Sequence, residues 1–82
     1  MANFFFSEER PGEATWTAEL FHVRVVDGIL EAESFDPDRG VWDDVHVSEI
    51  DDICEGRTQT SDPLLVEMVL AAEAYIVEQE AS

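Results

Sequence analysis

Apolar positions recur every second residue through the first half of this chain, and every third or fourth residue in its last quarter. The run FHVRVVDGILEAES, residues 21 to 34, alternates on both sides of Asp27-Gly28. Asp-Gly between two alternating runs predicts a two-residue β-hairpin. That loop implies a register: Val26 faces Ile29, Val25 faces Leu30, Arg24 faces Glu31, Val23 faces Ala32, His22 faces Glu33 and Phe21 faces Ser34. Cross-strand partners share a face. Phe21, Val23, Val25, Leu30 and Ala32 therefore make one apolar face, while the pairs Arg24–Glu31 and His22–Glu33 make the opposite, polar one. A slip of one residue would destroy both patterns together.

The next segment, Asp36-Pro37-Asp38-Arg39-Gly40, has Asp, Pro and Gly where a type I turn prefers them. Folding back there places Val41 opposite Ser34 and Val45 opposite Leu30. Val41, Val45 and Val47 then extend the apolar face, and Trp42, Asp44 and His46 the polar one. Upstream, Asn3–Ser7 predicts a further strand, linked through Arg10-Pro11-Gly12 to a long strand over Thr15–Val26. The apolar phase of that long strand changes near Glu19-Leu20. Trp16, Ala18 and Leu20 have one parity, and Phe21, Val23 and Val25 the other. A β-bulge near Leu20, or a stretch covered on both sides, accounts for the change.

Two helices follow. Ser48 is the expected N-cap of a two-turn helix carrying Ile50, Ile53 and Cys54 on one side and stopping at Gly56. Asp62-Pro63 opens the second, Pro63–Glu80. At about 100° per residue, Leu64, Leu65, Met68, Val69, Ala72, Tyr75 and Ile76 cover one broad side of it. Val66, Leu70 and Val77 form a second apolar strip that a helix on a one-sided sheet does not need, and they are the candidate face of a homodimer. The expected fold is α+β: an antiparallel meander of three to four strands with a short helix and a long C-terminal helix packed on one face. Residues 1–82 make a single domain.

Composition narrows this picture in two ways. With 82 residues and 45 % apolar side chains, the chain can bury one core and is not a disordered tail. The single cysteine, Cys54, excludes an intrachain disulfide and suits a reducing compartment. MANFFFSEE lacks the basic start and long apolar stretch of a signal peptide. No apolar run approaches the roughly 20 residues that span a bilayer. A soluble, cytoplasmic protein is the expectation.

Charge changes the picture more. Twenty Asp and Glu stand against four Arg and no Lys, a net charge of −16. Such a surface repels nucleic acid and anionic lipid, so direct contact with DNA, RNA or membrane is not expected. Either the acidity is a solvated background of a lysine-poor or halophilic proteome, or it is arranged to occupy a basic groove on another protein. The candidate protein-binding face combines Glu31, Glu33 and Asp44 on the sheet, Asp36, Asp38 and Asp43 at turns and margins, and Asp51 and Asp52 on the short helix. Trp42 is its candidate aromatic anchor.

Motifs for chemistry are weak. His22, His46 and Cys54 lack the spacing of a structural zinc site, and Asp36–Gly40 is too short for a calcium loop. The serines lie in no nucleophile elbow, and the acidic neighbours of Cys54 disfavour its thiolate. No catalytic residue, metal or cofactor is expected, and the chain reads as a non-enzyme.

The acidic runs FDPDRGVWDD and SEIDDICE on a compact β-plus-helix domain resemble small phage- or mobile-element-encoded inhibitors of the DNA-mimic and anti-CRISPR type. The resemblance covers size, charge and texture across the whole chain. It implies a non-enzymatic inhibitor that binds a basic nucleic-acid-binding protein in the host cytoplasm. A homodimeric structural or assembly module, and an immunity or antitoxin-like protein, are the alternatives.

Overall fold

A computed structural model describes residues 3–81. Five strands, β1 (Phe5–Arg10), β2 (Glu13–Thr17), β3 (Phe21–Val26), β4 (Ile29–Asp36) and β5 (Val41–Asp44), precede helices α1 (Val47–Cys54) and α2 (Pro63–Ala81). Each strand pairs antiparallel with the next, in the order β1-β2-β3-β4-β5. The fold is α+β, with five strands rather than three to four.

The hairpin around Asp27-Gly28 has the expected register at all six pairs, from Val26–Ile29 to Phe21–Ser34. Both loop residues have positive φ, +52° at Asp27 and +83° at Gly28, as a type I′ turn requires. That requirement explains why Asp-Gly is legible so directly. Any β-branched residue at position 28 would be strained.

The extra strand comes from Thr15–Val26, which is not continuous. Thr17 pairs with His22, and Ala18 N–H donates to the Phe21 carbonyl at 2.8 Å, so the chain reverses at Glu19-Leu20. The change of apolar phase is this reversal and not a bulge. Neither Glu19 nor Leu20 has a positive φ, and neither is a usual turn residue, so the loop lacks a local signal. The register shift in the sheet lies instead in β1, between Glu8 and Arg10. β1 itself begins and ends later than Asn3–Ser7.

The β4–β5 turn closes tighter than expected. Val41 pairs with Asp36 and Trp42 with Phe35, two residues from the anticipated register. A shift of two preserves the faces, so Trp42 and Asp44 stay on the polar side. Asp36 drives the closure. Its carboxylate accepts the N–H groups of Asp38 and Arg39 at 3.0 and 3.3 Å, and its carbonyl accepts from Gly40 N–H at 2.7 Å.

The strand ends at Asp44, so His46 and Val47 do not continue the sheet. Val47 is the first residue of α1, and His46, not Ser48, is its N-cap. The His46 Nδ1 accepts Ser48 N–H at 3.1 Å and lies 2.8 Å from the Ser48 hydroxyl. Gly56, at φ +92°, ends the helix as expected. Asp62 caps α2 through Leu64 N–H at 2.9 Å.

The core lies between the sheet and the helices. Val23, Val25, Ala14 and Trp16 from β2 and β3 meet Leu65, Met68, Val69 and Ala72 of α2 and Ile50 and Ile53 of α1. Tyr75 ties β1 to this layer. Its ring lies 5.6 Å from Trp16 and 6.1 Å from Phe6, centroid to centroid. Its hydroxyl donates to Glu8 at 2.5 Å and accepts Gly12 N–H at 3.0 Å. No charged or polar side chain among the described residues is buried.

Truncating a fully buried side chain should leave a cavity under α2. Met68→Ala is expected to cost about 2–5 kcal/mol of stability in urea unfolding. Leu70→Ala, 43 % exposed on the same helix, should cost far less.

Candidate functional site

The helices cover one face of the sheet and leave the other open. Registers map the open face in rows across the strands. One row runs Phe5, Thr17, His22, Glu33, Asp44; the next runs Ser7, Thr15, Arg24, Glu31. Phe35 and Trp42 pair at one end, and Val26 and Ile29 at the other. Phe5 is 82 % exposed and Ile29 64 %, so the face has apolar margins around a polar centre.

Trp42 lies on the open face. Its ring stacks on His22 with centroids 3.9 Å apart and planes 18° from parallel, and Phe35 leans on it at 5.2 Å. The contact spans from β5 to β3 over β4. His22 thus remains opposite Glu33 in register while its ring serves Trp42. His46 is away from this face, at the start of α1.

The acids singled out from sequence fall into separate groups. Asp36 and Asp43 both hold Arg39, the first with Nε at 2.9 Å. The Arg39 guanidinium holds the Asp36 carboxyl below the usual carboxylate range. Asp52 binds Arg57 at 2.7 Å, and Glu55 binds the same arginine at 2.5 Å. Asp38 is exposed on the β4–β5 turn, and Asp51 is exposed on α1, a helix that packs against α2.

Glu31, Glu33 and Asp44 differ from those paired acids. They share the open face, and among the described residues their carboxylates make no hydrogen bond or ion pair. Together with Thr15, Thr17 and His22 they line a shallow concavity of about 370 Å³. Arg24 lies in the same hollow, and among the described residues it is the one arginine without an ion pair. The single field expected from sequence is therefore divided: an open-face group of unpaired carboxylates, arginine-paired acids at the turn and on α1, and Asp38 and Asp51 exposed beside the latter. The His22–Trp42 stack and the threonine floor were not anticipated. Tracing rows through all four registers would have placed Thr15 and Thr17 there, but only with the reversal at Glu19-Leu20 in hand.

No family model, no curated protein and no solved structure matches the chain.

On the helix side, Val66 is half-buried against the core, while Leu70 and Val77 are 43 % and 58 % exposed. Glu73 sits on the same line of α2, and its carboxylate acts on the Cys54 thiol of α1. Burial and this carboxylate push the thiol up from 9.0 to about 12. Among the described residues no group of three or more His, Cys, Asp or Glu is placed to hold a metal ion. None of the described helices is long and apolar enough to cross a membrane.

The thiol shift has a measurable sign. Folding retains the Cys54 proton, so its stabilising contribution is complete below pH 9.0 and is lost as pH rises toward 12. Tyr75, raised above 10.0 chiefly by donating to Glu8, adds to the same alkaline loss. At pH 8 the native protein should react with iodoacetamide about a hundredfold or more slowly than a free thiol. Denaturant should restore ordinary reactivity. Rapid labelling of the folded protein would contradict the raised pKa of the Cys54 thiol.

Proposed function

We propose that the protein is a non-enzymatic inhibitor or regulator that binds a basic nucleic-acid-binding protein by presenting carboxylates where that partner expects phosphates. The observation that carries the reading is the position of the charge. All twenty acidic residues lie outside the core, and they give a net charge of −16 over 5618 Å² of accessible surface. Arginine offsets only part of it, and no lysine is present. A surface of this kind excludes polyanions and draws basic surfaces by long-range attraction. The anti-CRISPR, anti-restriction and immunity-protein readings share this physics and differ in the partner.

Capture from a host-type lysate with the tagged protein, followed by washes of rising salt, tests it. A nucleic-acid-binding protein should be retained at low salt and released as screening shortens to a few ångströms near 1 M. The captured protein should then lose its DNA or RNA when this chain is added. A complex that survives high salt, or a partner whose nucleic acid is undisturbed, would sink charge mimicry.

The exposure of Leu70 and Val77 on one line of α2 favours a second reading, a homodimeric module with the acidity as background. On that reading the protein sediments as a dimer at micromolar concentration and Leu70→Glu as a monomer. A wild-type monomer at that concentration would count against this second reading.

A further inference from the structure

We infer that the open face of the sheet is the partner-binding surface, and that it receives arginine side chains in the hollow between Glu31, Glu33 and Asp44 beside the His22–Trp42 stack. The inference rests on the charge-mimicry reading and gives it a site.

Three observations converge on this face. It is the side of a five-stranded sheet that no helix covers, and its margins carry apolar groups at Phe5, Ile29 and Trp42. Its central carboxylates are unpaired, unlike Asp36, Asp43 and Asp52, which already hold an arginine of this chain. It is concave where those carboxylates stand, at about 370 Å³, and His22, whose ring is stacked on Trp42, lines it.

Charge complementarity selects the occupant. Glu31, Glu33 and Asp44 outweigh Arg24, so the hollow is acidic and takes a cation. Arginine fits it better than lysine for a geometric reason. A planar guanidinium can lie along an aromatic face while its edge donates to two carboxylates. An ammonium is a point charge and gains little from that combination. Glu33 and Asp44 are cross-strand neighbours, and Glu31 is two residues along the same strand, so fork-like donors have acceptors on two sides. Arg24 shows that this surface accommodates a guanidinium without a dedicated ion pair. Its presence also keeps the centre from being uniformly negative, which favours a defined position over loose attraction.

Nona-arginine and nona-lysine, titrated into the full chain at low salt, give the direct test. Binding is read by Trp fluorescence and by backbone amide shifts. The arginine peptide should bind about tenfold more tightly than the lysine peptide, with shifts concentrated on β3, β4 and β5. The double substitution Glu33→Gln/Asp44→Asn should reduce that affinity about tenfold or more, and His22→Leu, which removes the aromatic ring lining the hollow, should remove most of the arginine preference. Asp51→Asn/Asp52→Asn removes the same formal charge from α1 and should change affinity by less than about twofold. Circular dichroism confirms that each variant is folded. Equal affinity for both peptides, or equal losses from the two charge-matched doubles, would overturn the arginine site while leaving charge mimicry standing. Absence of binding by either peptide would overturn both.

Discussion

Everything in this fold depends on α2 lying across one face of the sheet. The chain has one cysteine and a surface that repels itself, so neither a disulfide nor surface electrostatics holds it together. What remains is apolar burial. Met68, Val69 and Ala72 have no exposed surface, and they meet Val23 and Val25, which are equally closed off. Hydrophobic contact of this kind is insensitive to the sign of surface charge, so the domain can carry twenty acids while its interior stays free of ionised groups.

The same contact assigns the two sides of the sheet. Once α2 and α1 occupy one side, the rows through His22 and Arg24 must face solvent. Tyr75 extends that assignment to the first hairpin. Its hydroxyl holds Gly12 and Glu8, and its ring closes against Trp16 and Phe6. Without that tie β1 would be held to β2 by backbone hydrogen bonds, the Arg10–Glu13 ion pair and the Phe6–Trp16 contact, because all six of its residues are exposed. The width of the open face therefore rests on a contact made by a helix on the far side.

Function and fold meet in how the acids are distributed. Carboxylates near the β4–β5 turn and the end of α1 are consumed locally by Arg39 and Arg57, where they close a turn or brace a helix end. Those on the sheet centre have no such task. Exposed ion pairs contribute little to stability, so the main consequence of the pairing is that it neutralises some acids and leaves others open to solvent. The aromatic pair at His22 and Trp42 lies beside the available group.

Where local chemistry decides conformation, the sequence was sufficient. Asp27-Gly28 demands two positive φ values, and with them came the entire β3–β4 register and both of its faces. Gly56 and Asp62-Pro63 marked helix ends for the same reason, since caps and turns act within a few residues. The apolar stripe of α2 was legible because its period is that of the helix itself. Tertiary structure decided the rest. Glu19-Leu20 reverses the chain with no turn residue, because Thr17–His22 pairing and burial of Trp16 and Val23 on one face require it. His46 rather than Ser48 caps α1, because β5 stops at Asp44. The division of the acids also lay beyond the one-dimensional pattern. Whether a carboxylate meets an arginine or stands open depends on which turns close around it, and spacing along the chain does not contain that distance.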